Sequence, residues 1–485
     1  MYGRMLILMI LNLYISRIAL EYLGADKYGL MSLVTSIVVI GAFFSTVLEG
    51  TAQRYISAAL AKKDKKSVIK TIQSLMYIYI LALLLSVVFV EVLGALYINN
   101  YLEQELLTIE ELNLIFQISI LVFFLSTMGS ILLSILIAFE KIAVYSIVTL
   151  LEVAIKLVLL KVVSSSESSI AKYLLVFVVA IIVSRLIAYF YVVKQNRGIS
   201  FKPLKDDDLI KNIAYFVRWN LIGGGASILT IQGLNVVLNI YQNLTVNAAR
   251  AFSTQLNIAI TQMVNSIQLA FNPKIVKLYV QGENNILNET FRLNAKLAAY
   301  LSSLIIIVIS YNSEYFLDAW LGSYPDILIS FISLMLIELY FASFTGPLLS
   351  IIQASERIKS YQLVVGGTMI LNVPISYLFL SKFDNPLIIY YVSISINIIC
   401  LLQRITFVAK LRVVDIKSYL FDVIVRVSFF LILVLAIYQK EFNGIIILDI
   451  FSKILFVVFM SYFIVLSKIE RTAIFKNIKI FFSEK

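Results

Sequence analysis

Arg250 stands in NLTVNAARAF, Asn243 to Phe252, about one helical turn inside an apolar run that continues through Phe271. An arginine at hydrocarbon depth costs roughly 2.5–3.5 kcal/mol even on the lenient insertion scale, so something must compensate. Arg17, in LYISRIAL, poses the same question late in the first apolar run. Snorkelling to the headgroups would account for either arginine. The other reading is that two guanidiniums at one depth clamp a pyrophosphate through paired, charge-assisted hydrogen bonds. Arg54 closes the second apolar run. It is either the first contact for an anionic headgroup or an ordinary anchor at the basic face.

Uncharged amides accompany these arginines. In RWNLIGGGASILTIQGLNVVLNIY, Gln232, Asn235 and Asn239 follow a three-then-four spacing and share one helical face. The three glycines before them, Gly223–Gly225, weaken that helix or let it pack closely. The following run carries Gln255, Asn257, Gln262, Asn265 and Gln268, and Thr254 continues the face of Arg250. Such amides either bridge helices or line a polar cavity suited to a hydroxyl-rich, uncharged ligand such as a sugar. Gln232, Asn235, Asn239, Gln255 and Gln262 are the candidate sugar contacts.

Other chemistry is limited by what is missing. The chain has no histidine and one cysteine, Cys400, so imidazole catalysis and an internal disulfide are excluded, and no metal or cofactor is expected. Glu49 and Glu338 lack an obvious local partner and are candidate coupling groups. Glu152 with Lys156, and Asp449 with Lys453, have i, i+4 spacing and are expected to neutralise each other. The GGG run is not a phosphate loop, since no Lys-Ser/Thr follows it. The NLT and NET sequons are short enough to recur by chance. The basic run AKKDKKSVIK lacks interleaved aromatics and suits a membrane surface rather than nucleic acid.

The elements that position these residues follow from composition. Of 485 residues, 60% are hydrophobic and 14% charged, with a mean hydropathy of +0.93. A water-facing surface cannot be built from that balance. Fourteen apolar spans are expected, near 3–22, 28–50, 71–98, 112–138, 142–163, 170–193, 214–241, 246–271, 295–316, 326–352, 361–380, 387–409, 419–438 and 445–467. No small-residue cleavage site follows the first run, so that helix is expected to target and insert itself.

Most of the 40 Lys and Arg residues fall on one side of this arrangement, whereas the other side has Lys27, Lys161, Lys172, Arg250, Lys382 and Lys440. The positive-inside rule then puts both termini in the cytoplasm.

A weak internal repeat links the halves. YLGADKYG (Tyr22–Gly29) and IYQNLTVN (Ile240–Asn247) lie 218 residues apart, and GTAQRYIS falls opposite QLAFNPKI at that offset. Six spans separate the copies, so the repeats are parallel. The expected domains are a lobe of six helices over 1–197, a cytoplasmic linker over 198–213, a second six-helix lobe over 214–412, and two extra helices with a cytoplasmic tail over 413–485. Two such lobes enclose a central cavity and suit alternating access.

LYISRIALEYLGADKYGLMSLV, GTAQRYIS, the NLTVNAARAFSTQ region, AFNPKIVKLYVQGE, WLGSYP and QASERIKSYQ occur in that order. Together they resemble the Wzx-type O-antigen and polysaccharide flippases of the multidrug/oligosaccharidyl-lipid/polysaccharide (MOP) exporter superfamily, over roughly residues 1–380. The resemblance implies a V-shaped, MATE-like pair of lobes that carries undecaprenyl-pyrophosphate-linked oligosaccharide from the cytoplasmic to the periplasmic leaflet of the inner membrane. It implies that Arg17, Arg54 and Arg250 hold the pyrophosphate, and that a polysaccharide polymerase and a chain-length regulator are candidate partners. Tyr241–Gln242 departs from the aromatic-Gly usual in similar sequences. A MATE-like cation or drug antiporter is the alternative; it would require carboxylates on the cavity helices. A membrane polysaccharide polymerase is less favoured, because no large external loop carries catalytic charges. The chain is not expected to be an enzyme.

Overall fold

The computed structural model describes residues 2–41, 48–61, 64–101, 107–195, 201–355, 358–437, 456–457 and 460. Among them there is no strand. Helices run as α1 (Tyr2–Gly41), α2 (Leu48–Ala61), α3 (Lys65–Tyr101), α4 (Ile109–Ala138), α5 (Ile142–Val163), α6 (Ile170–Gln195), α7 (Asp207–Tyr241) and α8 (Leu244–Gln281). They continue as α9 (Asn284–Tyr311), α10 (Ser313–Trp320), α11 (Ile327–Ser343), α12 (Thr345–Ala354), α13 (Ile358–Tyr361), α14 (Gly367–Ile370) and α15 (Asn372–Leu380). The last are α16 (Ile388–Leu411), α17 (Ile416–Tyr419) and α18 (Arg426–Ile437). Wider π-helical turns, Gln362–Gly366 and Leu420–Val425, join α13 to α14 and α17 to α18.

Ten helices among the described residues are long and apolar enough to cross a membrane, so the chain is a multi-pass membrane protein; the expected fourteen spans are not established. Four of the expected runs account for the difference. Two helical runs meet inside α1 at Gly24, whose φ of 76° is non-helical and disfavoured by a side chain, so the expected break between the first two runs is present although they count as a single span. The seventh and eighth runs lie in α7 and α8, of 35 and 38 residues; in α8 the arginine and the repeated amides lower the hydropathy. The fourteenth, 445–467, falls almost wholly outside the described residues, as do Asp449 and Lys453. The three glycines of α7 leave it unbroken from Asp207 to Tyr241.

Local signals set the helix starts. Thr108 and Glu111 form a reciprocal capping box on α4. Asp206 caps α7 by accepting from the Leu209 amide at 3.1 Å and pairs with Lys70. The segment before it is tied to α3, with the Leu204 amide donating to the Gln73 carbonyl at 3.2 Å.

The chain divides into two compact units. The first comprises Met1–Leu256, Asp318–Phe331 and Lys359–Ile396. Its core includes Leu48, Ile56, Ile72, Tyr79, Ile135 and Val148, all buried. Glu152 binds Lys156 at 2.8 Å, as the spacing predicts, and also Arg185 of α6 at 3.0 Å. Gly129 makes room for Arg185, whose Cδ lies 2.5 Å from where a Cβ would stand.

The second unit comprises Asn257–Leu317, Ile332–Ile358 and Asn397–Lys485. There Asp422, in a π-helical turn, pairs with Arg292 at 3.2 Å and Arg426 at 3.3 Å. The Tyr419 hydroxyl donates to the Phe344 carbonyl at 2.8 Å.

Candidate functional site

The site is built in the first unit around the start of α8. Leu244, Ala248, Phe252 and Gln255 lie on the side of α8 that meets α1. Gly29 is required there, because a Cβ would stand 2.0 Å from the Leu244 carbonyl oxygen. Tyr28 stacks on Phe252 with ring centroids 4.4 Å apart and planes 7° from parallel. Trp320 meets Phe252 edge-on at 6.2 Å, and its indole N–H donates to the Leu13 carbonyl at 2.9 Å. Gln255 Nε2 donates to the Asn12 carbonyl at 2.9 Å, which makes that amide a bridge between helices.

Arg250 lies on the other side of α8 and is 6% exposed. Its guanidinium carbon sits 4.7 Å from the centroid of the Tyr390 ring, a cation–π contact. The Tyr390 hydroxyl donates to Ser253 Oγ at 2.8 Å, fixing the ring. Arg250 has no ion-pair partner among the described residues, and its Nε is buried with no acceptor. Asn247, one turn earlier on the same face, is 2% exposed, and neither its Nδ2 nor its Oδ1 is bonded. Thr254 extends this face. A buried polar atom without a partner costs about 1–3 kcal/mol, so nearby unmet donors and acceptors are a feature to be explained.

Arg17 is placed differently. Its Nε pairs with Glu21 Oε1 at 2.8 Å and its Nη1 donates to the Ala319 carbonyl at 2.9 Å. The i, i+4 partner Glu21 escaped the sequence reading, and the carbonyl, 302 positions away, was beyond it. Arg17 and Arg250 flank one aromatic cluster, Tyr28–Phe252–Trp320, but only Arg250 keeps its charge unpaired. Arg54 is exposed on α2.

The amides of α7 divide. Asn235 is 6% exposed; its Nδ2 donates to Ser36 Oγ at 2.9 Å and to Gln232 Oε1 at 3.3 Å, while its Oδ1 has no partner. Asn239 accepts from the Tyr97 hydroxyl at 2.8 Å and thereby joins α7 to α3. The predicted common face therefore exists, and at least Asn239 serves helix packing. Gln262 is exposed on the part of α8 in the second unit. Glu49 is exposed in the first turn of α2. Glu338, in the second unit, accepts from Asn397 Nδ2 at 3.0 Å. No group of three or more acids, cysteines or histidines among the described residues is placed to hold a metal ion. Asn247 was missed, although its i, i+3 spacing from Arg250 was visible in VNAAR.

Comparison with solved structures gives the fold. An inward-facing multidrug resistance MATE family transporter of the MOP superfamily superimposes with a TM-score of 0.69 at 12% identity, over 83% of this chain and 94% of that one. The lipid II flippase MurJ, in an inward closed conformation, gives 0.69 at 14%, over 95% and 98%. A MOP superfamily transporter from Pyrococcus furiosus, described by the reverse polarity of its binding pocket, gives 0.59 at 14%, over 86% and 95%. The chain has the fold of MOP superfamily transporters. No protein-family model and no curated protein matches it in sequence.

Proposed function

We propose that this protein is a lipid-linked oligosaccharide flippase of the Wzx type. It moves undecaprenyl-pyrophosphate-linked repeat units of an O-antigen or other polysaccharide from the cytoplasmic to the periplasmic leaflet by alternating access. The headgroup enters a polar cavity between lobes 1–197 and 214–412, while the prenyl chain stays in lipid. The fourteen-span topology, both termini cytoplasmic, belongs to this proposal.

The observation that carries it is Arg250: buried, unpaired, stacked on Tyr390 and next to the unbonded amide of Asn247. A diphosphate supplies what this group lacks, namely negative charge and several acceptors in a planar-compatible arrangement. Asn247 Nδ2 adds a neutral donor. Arg54 meets the headgroup at the cytoplasmic end, whereas Arg17, its charge already shared by Glu21, stands at the sugar end rather than on the phosphates. Gln232 and Asn235 offer the sugar amide groups. A cation antiporter needs an unpaired acid in the site, whereas here the unpaired group is a base.

The test is complementation of a strain lacking its own O-antigen flippase. Arg250→Ala is expected to remove surface polysaccharide while leaving the protein in the membrane, and Arg250→Lys to restore only part of it. No surface polysaccharide with the native protein would reject the reading, and full surface polysaccharide with Arg250→Ala would reject the role given to Arg250.

A further inference from the structure

A second site lies where two left-handed glycines meet. Gly24, at the α1 kink, and Gly322, after Trp320, both have φ 76°. Together with the first turn of α8 they surround a cavity of 510 Å³, within the first unit. That volume falls in the range of small-molecule sites, about 300–1,000 Å³. Its polar lining comes from Glu21, Thr245, Ser323 and Tyr324.

The charges at this cavity are arranged in an unusual way. Glu21 spends Oε1 on Arg17 Nε, which leaves Oε2 as an acceptor on a side chain that is 56% exposed. Arg17 Nη1 is spent on the Ala319 carbonyl. Its Nη2 lies 3.8 Å from where a Cβ on Gly322 would stand, so this remaining donor reaches the cavity rim. Thr245 donates its hydroxyl proton to Asp26 Oδ1 at 2.6 Å and keeps its lone pairs for an incoming donor. The site thus offers a carboxylate oxygen and a guanidinium N–H side by side, flanked by hydroxyls. Leu20, Leu321 and Pro325 supply an apolar wall.

That pairing selects its ligand. A phosphate would meet Glu21 and Asp26, and a metal ion would meet Arg17. Vicinal hydroxyls suit both: one donates to the carboxylate, the other accepts from the guanidinium, and the C–H face of the ring rests on the apolar wall. We infer that this cavity is a carbohydrate subsite that takes one pyranose unit through adjacent hydroxyls. The source of that sugar, the oligosaccharide of the proposed substrate, rests on the flippase reading; the binding itself does not.

The test uses Trp320, which borders the site and is one of only two tryptophans. In a Trp219→Phe background, purified protein in lipid nanodiscs is titrated with the methyl pyranosides of glucose, galactose, mannose and N-acetylglucosamine. At least one is expected to change Trp320 fluorescence saturably. Glu21→Gln should weaken that binding about tenfold, as for loss of a charge-assisted hydrogen bond. Ala25→Phe, which fills the cavity, should abolish it; a monodisperse elution profile confirms that each variant is folded. Absence of saturation by all four glycosides overturns the inference, as does saturation that both substitutions leave unchanged. Inorganic pyrophosphate displacing the glycoside, with Glu21→Gln tightening the pyrophosphate, would make this an anion site and overturn it too. Glycoside binding together with no surface polysaccharide from the native protein in the complementation test would reject the flippase reading alone. Surface polysaccharide restored by the native protein, with no glycoside binding, would reject the subsite alone.

Discussion

At the scale of the residue, Arg250 and Arg17 show how far a side-chain type can be read from sequence. An arginine inside an apolar run is visible at once, and its cost demands an explanation. Whether it is paired is not visible. Glu21 could be found by its i, i+4 spacing, but the Ala319 carbonyl and the Tyr390 ring come from distant helices. The cation–π contact is worth about 0.5–2 kcal/mol. Tyr390→Leu should therefore reduce polysaccharide export several-fold. Tyr390→Phe, which keeps the ring and loses the hydroxyl bonded to Ser253, should have a smaller effect; equal losses would mean that the hydroxyl, not the ring, holds the site. Asn247→Leu, which removes the unbonded amide without adding charge, is expected to lower export with no loss of thermal stability.

At the scale of the element, the helix periods and most spans were legible, because hydropathy over some twenty residues dominates local detail. What was not legible is how closely the helices pack. Gly24 breaks α1 between the first two runs, as expected, and Gly29 brings α1 against the α8 backbone. Gly29→Ala would force a clash with the Leu244 carbonyl and should destabilise the fold by roughly 1–3 kcal/mol. This is measurable as a lower thermal midpoint in detergent.

The start of α7 depends on a carboxylate instead. Asp206 is held below the ordinary aspartate value of 3.8, first by the hydrogen bond from Lys70 and then by that from the Leu209 amide. A lowered pKa means its contribution is complete above 3.8 and fades as pH falls through the folded value. Asp206→Asn should therefore lose stability at neutral pH and show a flatter acid limb below pH 3.8, measured as the midpoint against pH.

At the scale of the whole molecule, composition alone fixed the solvent: a chain with 14% charged residues folds in lipid. The two copies of the weak repeat, Tyr22–Gly29 and Ile240–Asn247, touch: Thr245 of one donates to Asp26 of the other at 2.6 Å. The candidate site was less legible, because it depends on which polar groups stay unbonded after packing. Asn239 and Gln255 were spent on neighbouring helices, whereas Asn247 and Arg250 were not. The central claim is that Arg250 carries a diphosphate-linked sugar across the bilayer. It is tested most directly in proteoliposomes holding undecaprenyl-pyrophosphate-linked oligosaccharide, by following the fraction of sugar accessible to an impermeant oxidant over time. The account predicts rapid redistribution between leaflets with the native protein and a rate near that of empty liposomes with Arg250→Ala. Equal rates for the two proteins would contradict it.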